Sequence, residues 1–220
     1  MDPFYTNELI PALNRGLVMS TMLIIPSAFF GLLGGILVGT FRVFGPKPIQ
    51  RLFNAYTAIF RGVPLMVQLF ILYYGLPNIG IYFEAYTAAV IGFILCSSAY
   101  NSEYIRGALL AIKSGQLQAA SALGMSKTQA LVWIIIPQAF RRALPGCGNE
   151  MIYLIKYSSL AYIVSCIELT GEARAIAAQS FRFTEAFTVV ACYYLLLVSI
   201  ATYLLKKVEK RLAIPGFGTK

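Results

Sequence analysis

The chain has 220 residues, 58% of them hydrophobic and only 12% charged, with 18 Lys and Arg against 9 Asp and Glu for a formal net charge of +9. A soluble domain carries roughly 25% charged residues; with a mean hydropathy of +0.70, these figures exclude disorder, a basic nucleic-acid-binding domain and most soluble folds. They leave an integral membrane protein, in which the informative question is where each charge sits relative to lipid.

The N-terminus opens with Asp2 and Glu8 rather than a basic cluster, and the apolar run behind them is too long for a removable signal peptide. A helix needs about 20 apolar residues to cross a hydrocarbon core of about 30 Å. The uncharged stretch 16–41 predicts a first span at 17–41, and the uncharged stretch 62–83 a second at 54–76. A third follows at 85–110, with Glu103 and Arg106 shielded near its end. The fourth, 146–167, is the weakest, because Glu150 and Lys156 interrupt it, and 186–207 is the fifth. Residues 206–212 carry the last helix into water until Pro215 and Gly216 end it. All these runs are continuous rather than alternating, which favours helices over a β-barrel. Residues 1–220 thus read as one all-α transmembrane domain of five helices.

Charge placement orients it. With the N-terminus outside and the C-terminus inside, 13 of the 18 basic residues fall on inner segments, and only Arg15, Arg174 and Arg182 on outer ones. Arg61 and Lys156 fall at or within spans. The largest inner segment is 113–145. Within it, 116–123 reads as a short amphipathic helix that Gly124 interrupts. Ser126 then N-caps a second helix over 127–136, which Pro137 kinks or ends. The polar outer segment 168–185 has room for another short helix. Its charges, Glu168, Glu172, Arg174, Arg182 and Glu185, either dock a partner or are simply solvated. Cys96, Cys147, Cys166 and Cys192 form no CxxC pair and the chain has no histidine, so the cysteines read as small hydrophobes rather than metal ligands or disulfides.

The inner segment reads Gln118-Ala119-Ala120, three residues, Gly124, nine residues, then Ile134-Ile135-Ile136-Pro137. This resembles the EAA loop of ABC importer permeases, with Gln118 where Glu is usual and Ile136 where Leu is usual. Phe60-Arg61-Gly62-Val63-Pro64-Leu65 with Gln68-Leu69-Phe70 resembles the FRGTPLxxQLF segment of polar amino-acid permeases of that class. Ser98-Ala99-Tyr100 with Glu103 and Arg106-Gly107-Ala108 is similar to their third-helix signature. Leu144-Pro145, Gly148-Asn149-Glu150 and Lys156 are similar to their LPxxGNExxxxxKDTSL segment, and Glu168-Leu169-Thr170 to the start of their outer loop. The resemblance runs from about Leu9 to Arg211. It implies a type I ABC importer (MetI-like) permease architecture for a histidine, glutamine, glutamate, arginine or opine type of substrate. It also implies a second permease subunit, identical or homologous, two ATPase subunits inside, a substrate-binding protein outside, and residence in a bacterial inner membrane.

The residues fit such a role. There is no GxxxxGK[ST] phosphate loop, so this chain has no ATPase site of its own; ATP and Mg²⁺ belong to a partner, and no cofactor is expected here. Ala119, Ala120 and Ala122 give a smooth helix surface and Gly124 permits a sharp turn. Gln118, Ala119, Ala120, Gly124, Met125 and Ser126 are therefore the candidate ATPase-coupling residues; the alternative is an amphipathic loop on the membrane surface. Ionisable groups inside a span face protein or water. Glu103 and Arg106 can pair on the face shared by Tyr100, Tyr104 and Gly107. At 100° per residue Glu150, Tyr153, Leu154, Tyr157 and Ala161 form one stripe, flanked by Ser158. A carboxylate with tyrosines and a hydroxyl can receive a substrate ammonium, or it can serve as a structural ion pair. In the resembled family the position of Glu150 is a substrate contact. The second acidic position falls on Tyr157, which argues against a strongly cationic substrate such as arginine or lysine, and the Thr of RGTP falls on Val63. The candidate substrate residues are thus Glu150, Tyr157, Ser158, Val63, Tyr100 and Glu103, unless the paired subunit carries the site alone. No metal site is expected. The competing function is an ion-coupled secondary transporter with Glu103 or Glu150 as the coupled carboxylate, a reading weakened by the lack of an evident inverted repeat. A membrane-embedded enzyme would need a nucleophile–base pair or metal cluster, and no arrangement of this kind is evident.

Overall fold

A computed structural model describes residues 2–212, so Pro215, Gly216 and Lys220 lie outside the described residues. The described chain is helical, without strands. A π-helical turn over Phe4–Leu9 runs directly into α1, Ile10–Phe44. Then come α2, Lys47–Gly62; α3, Leu65–Phe70; α4, Ala85–Leu110; α5, Gly115–Ala122; α6, Lys127–Ala130; α7, Ile136–Tyr157; α8, Leu169–Ser180; and α9, Phe183–Leu212.

The centre of the bundle is the α1–α4 pair, and small residues make it possible. A Cβ on Gly31 would lie 2.8 Å from Ser97 Oγ, one on Gly35 2.3 Å from Asn101 Cβ, and one on Gly39 2.9 Å from Ile105 Cγ2. Residues 31, 35 and 39 recur every four positions, so they form one stripe along α1 that lets the two backbones approach closely. The same device recurs elsewhere. Gly16 of α1 lies against the Leu169 backbone at the start of α8, Gly146 of α7 against the Tyr104 ring, and Gly148 against Leu205 of α9.

One end of the bundle, where α8 begins, is tied by a buried carboxylate. Glu168 N-caps α8, accepting from the Thr170 and Gly171 amides at 2.9 and 3.0 Å, and from the Tyr194 hydroxyl at 2.9 Å. The Leu169 amide donates to Ser20 Oγ at 3.2 Å, so α1, α8 and α9 meet there. Of the expected outer charges, Glu168 is thus wholly internal. Arg15 pairs with Glu172 at 3.3 Å and Arg182 with Asp2, whose carboxyl that guanidinium holds below the usual carboxylate range.

Three elements depart from expectation. A straight helix over 54–76 is not formed: α2 and the segment Leu65–Ile79 meet at 105°. Pro64 is the reason, since it forces Val63 out of helical geometry, to φ −94° and ψ 133°. The Gln68 amide then donates to both the Phe60 and Val63 carbonyls, at 2.9 and 2.8 Å, and fixes the corner. Pro137 does not end the inner-loop helix. A π-helical segment, Leu131–Ile135, precedes it, and Pro137 sits in the first turn of α7, where its missing N–H costs least. Finally, α7 tightens after Tyr157 into a 3₁₀ segment, Ser158–Val164, so Ala161 does not continue the 100° register of the Glu150 stripe.

By length and composition two helices suffice to cross a bilayer, Phe4–Phe44 and Phe183–Leu212; each of two bent pairs, 47–79 and 127–180, adds one more if it crosses as a unit. The 26-residue α4 spans about 39 Å, with Glu103 and Arg106 in its last two turns. Helix α9 leaves half of its large apolar side chains exposed, among them Leu195, Leu196, Ile200 and Tyr203.

Replacing Gly35 by Leu drives a side chain into Asn101 and separates α1 from α4, with an expected loss of about 1–3 kcal/mol or more. Gly107→Ala is the control, because a Cβ there meets nothing within 4 Å. Thermal unfolding in detergent should show a clear drop in Tm for the first variant and an unchanged or slightly higher value for the second.

Candidate substrate and coupling sites

The polar side chains of this chain gather at two places on the bundle. At the C-terminal end of α4, Glu103 faces three guanidinium groups. Arg42 of α1 lies 3.0 Å from Oε1, Arg61 of α2 3.1 Å from the same oxygen, and Arg106 3.0 Å from Oε2. Arg42 follows the glycine stripe by one turn, so the close approach of α1 delivers it to α4. Its side chain is only 8% exposed, and its other nitrogens donate to Asn54 Oδ1 at 2.8 Å and Ser102 Oγ at 3.3 Å. Helix α2 is further held to α4 by Tyr56, whose hydroxyl donates to the Leu95 carbonyl at 2.7 Å and meets Ser98 Oγ. The expected Glu103–Arg106 pair is present, but it is one edge of a cluster joining three helices. Arg61 does not merely snorkel: its guanidinium also stands over the Tyr100 ring, 5.3 Å from the centroid.

The second place is α7. Glu150 is 2% exposed, its Oε1 accepts no hydrogen bond, and it makes no ion pair among the described residues. A structural salt bridge is therefore not what holds it in this chain. An unmet buried carboxylate is costly, which sets Glu150 apart from the well-satisfied Glu103 and Glu168. The Tyr104 ring of α4 lies against Gly146, one turn before Glu150 on α7. Tyr153 and Tyr157 stack one turn apart, with centroids 6.0 Å apart and planes 9° from parallel. Lys156 stands 5.0 Å over the Tyr153 ring on the exposed side of α7.

Glu150 and Tyr157 lie two turns apart on α7, and Tyr100 belongs to α4, which packs against that helix. Ser158 and Val63 are differently employed. The Ser158 hydroxyl donates to the Ile155 carbonyl at 2.8 Å, and it neighbours Tyr194 in the Glu168 network. Val63 is the half-buried corner residue between α2 and α3. A cavity of about 430 Å³ lies between α1, α4, α7 and α9, but its wall is apolar apart from Thr21, Ser97 and Asn101, and none of the candidate substrate residues lines it. The cysteines are free, and the described residues contain no cluster able to hold a metal.

The inner loop forms a tight corner. The Gly124 amide donates to Ser121 O at 3.0 Å and the Met125 amide to Ala120 O at 3.1 Å, the paired bonds of a Schellman motif. Gly124 supplies the positive φ this requires, +79°. Ser126 then opens α6 with a reciprocal capping box to Gln129, at 3.3 and 2.8 Å. Ala120 and, in part, Met125 face inward, whereas Gln118, Ala119, Gly124 and Ser126 are exposed. Leu123, which the sequence reading passed over, is the most prominent apolar group of the corner at 81% exposed. An apolar residue immediately before the turn glycine was the available signal.

Against this geometry stand the similarities to known proteins. Residues 5–214 match the family described as binding-protein-dependent transport system inner membrane component. The chain is 41% identical over 203 residues to the probable amino-acid ABC transporter permease protein PatM of Vibrio harveyi, covering 90% of each. It superposes with a TM-score of 0.82 and 34% identity on a crystal structure of an amino acid ABC transporter with histidines, covering 91% of this chain and 94% of that one. A structure of the MetNI methionine ABC transporter gives a TM-score of 0.80 at 19% identity, covering 94% and 98%, a likeness of fold alone.

Neutralising Glu103 by Glu103→Gln leaves three guanidinium groups facing one another and unties α1 and α2 from α4. The expected cost is about 2–3 kcal/mol, read as a fall in Tm that Glu103→Asp partly restores. An unchanged Tm would mean that the cluster does not hold these helices together.

Proposed function

Because the chain belongs to the binding-protein-dependent transport system inner membrane components, as an amino-acid ABC transporter permease with the MetI-like fold, we propose that it carries a polar amino acid into the cytoplasm by alternating access driven by ATP hydrolysis in partner subunits. In this reading the chain crosses a bacterial inner membrane five times, through α1, the bent α2–α3 pair, α4, α7 with its 3₁₀ extension, and α9. The N-terminus lies outside and the C-terminus inside, as the basic residues favour. A second permease subunit, identical or homologous, and an extracytoplasmic binding protein complete the assembly with two ATPase subunits, which bind ATP and Mg²⁺.

The observation that carries the reading is the exposed corner of the inner loop. The Schellman turn and capping box fix residues 115–130 without help from the bundle, and the corner presents Gln118, Ala119, Leu123 and Ser126 outward. A rigid knob transmits displacement, whereas a floppy loop would absorb it. Closure of the ATPase dimer under such a knob would rock α7, which continues from α6 through the π-helical segment, and so move Glu150. Glu150, buried and with Oε1 unmet, is then the group that receives the substrate ammonium when the site opens, with Tyr100 and Tyr157 as its walls.

Two measurements test this on the assembled complex in proteoliposomes. Gly124→Val places a β-branched residue at positive φ, at a cost of about 1–3 kcal/mol locally. It should reduce uptake at least about tenfold while the ATPase subunits still bind nucleotide; normal uptake in correctly inserted protein would end the coupling role. Wild-type uptake should require internal ATP and resist a protonophore, whereas the converse would favour an ion-coupled carrier. In the same assay Glu150→Ala should abolish uptake, and normal uptake would remove Glu150 from the site.

A further inference from the structure

We propose that the cavity between α1 and α9 is a binding site for an anionic phospholipid of the surrounding bilayer, with one acyl chain in the cavity and the headgroup on Arg141 and Arg211. The site lies apart from the candidate substrate residues, and it requires of the transport reading only that the chain resides in a membrane. A packing defect is the starting point. α1 and α9 meet at one end, where the Tyr193 hydroxyl donates to Asn14 Oδ1 at 3.0 Å and Leu13 and Val190 share a hydrophobic cluster. Beyond that contact the cavity of about 430 Å³ separates them, with α7 and the Ser97 and Asn101 positions of α4 completing its wall. A void of this size left empty forfeits dispersion contacts along its whole wall, and so apolar a wall gives water few partners.

The cavity is a slot along the helix axes. Leu197, Ala201, Leu204 and Val208 line it at three- and four-residue spacing, one stripe of α9 about 16 Å long. Leu144, Gly148, Met151 and Ile155 form the facing stripe of α7. Met151, Ile200, Leu204 and Val208 belong to the wall and are also exposed, so the slot opens sideways on the apolar surface that the bundle presents to lipid. Cys147, Gly148 and Ile155 lie at its buried depth. An elongated, laterally open, apolar slot suits a hydrocarbon chain and offers little to a polar solute.

Charge names the lipid. Both stripes run into a cation one turn past the same end of the slot: Arg141 precedes Leu144 by three residues on α7, and Arg211 follows Val208 by three on α9. Both arginines are exposed, and neither makes an ion pair among the described residues. Lys207 and Lys210 flank Arg211 on α9. The acids at this end of the bundle are Glu103, already ringed by three guanidinium groups, and Glu209, two residues from Arg211 and so on the opposite side of α9. A basic pocket between membrane helices receives an anionic headgroup, and a guanidinium fork matches its phosphate. A second copy of this chain is a poorer occupant. About an axis along the bilayer normal the cationic end would meet itself, like charge against like.

The test uses the purified permease–ATPase complex in phosphatidylcholine vesicles doped with a trace of phosphatidylglycerol or of phosphatidylcholine, each carrying a diazirine in its acyl chain. Adducts formed on illumination are mapped by mass spectrometry. Phosphatidylglycerol should label the buried wall residues Leu144, Cys147 and Gly148 at least about fivefold more than phosphatidylcholine does, while the exposed surface at Ile71 and Tyr74 takes both probes equally. Arg141→Gln combined with Arg211→Gln should bring that excess below about twofold and leave the phosphatidylcholine label unchanged. Ala201→Phe fills the slot with a ring and should lower labelling of the wall by both probes about tenfold, sparing 71 and 74. Equal labelling of the wall by the two probes in the wild type, an excess that survives the double arginine variant, or a wall still labelled in Ala201→Phe each overturns the proposal. A wall that neither probe reaches overturns it too, as when a second copy covers the slot. The two arginines are exposed, so their comparison decides the matter even where Ala201→Phe fails to assemble. None of these readouts depends on uptake, so the site can fail while the transport reading stands.

Discussion

A side chain on Gly35 would put its Cβ 2.3 Å from the Cβ of Asn101, closer than two carbons can come, and this steric fact organises the bundle. Inside a bilayer, burial against another helix gains little over burial against lipid, so helices associate where their backbones can come near enough for dispersion and polar contacts. The stripe at 31, 35 and 39 gives α1 such a face, and Ser97, Ser98, Asn101 and Ser102 give α4 the matching one. Arg42 lies at the end of that stripe, so the same approach brings a buried guanidinium to Glu103. Packing thus determines where the charge cluster forms.

Charge then governs what the packed helices can bind. A carboxylate ringed by three arginines is well satisfied, and its main effect is to draw α1 and α2 onto α4. The carboxylate of Glu150 is the opposite case, buried and short of partners. The two acids therefore differ in how their surroundings satisfy them. The Glu103 cluster is satisfied on the carboxylate side and holds more cations than anions, whereas Glu150 has no cation opposite it among the described residues.

Much of this was legible in the amino-acid order. The helical class, the inner-loop helix ahead of Gly124, the cap at Ser126, the outer helix after Glu168 and the Glu103–Arg106 pair all follow from local rules of hydropathy, capping and i, i+3 spacing. Other features depend on tertiary partners. The 105° corner at Val63–Pro64 was hidden because an apolar run gives no sign of direction, although Pro64 itself was the local warning. Pro137 misled in the other direction, because a widened turn ahead of it accommodates the missing N–H. Arg42 reads as one of the basic residues of the inner segments and Arg61 as a charge at or within a span, since nothing in the linear order says that both meet Glu103. The glycine stripe was present at four-residue spacing, but its meaning requires knowing that Ser97 and Asn101 lie opposite.

The corner at Gly124 and the site at Glu150 are connected through one continuous helical path. α6 passes through the π-helical segment into α7 without a loop, and α7 reaches Glu150 fourteen residues after its first residue, Ile136. In the proposed coupling, a push on the corner would pass along a helix rather than through a flexible link. The π-helical segment is the one place on that path where the ladder of hydrogen bonds is widened, and such segments accommodate small changes of twist at low cost. Beyond Tyr157 the path tightens into the 3₁₀ segment and ends at Ser165, whose φ of +64° turns the chain toward α8. Movement of α7 is thus bounded at its far end by the buried Glu168 network, which ties α8 to α1 and α9. In the proposed coupling, displacement is greatest at the driven corner and falls toward the anchored end, and Glu150 lies between the two.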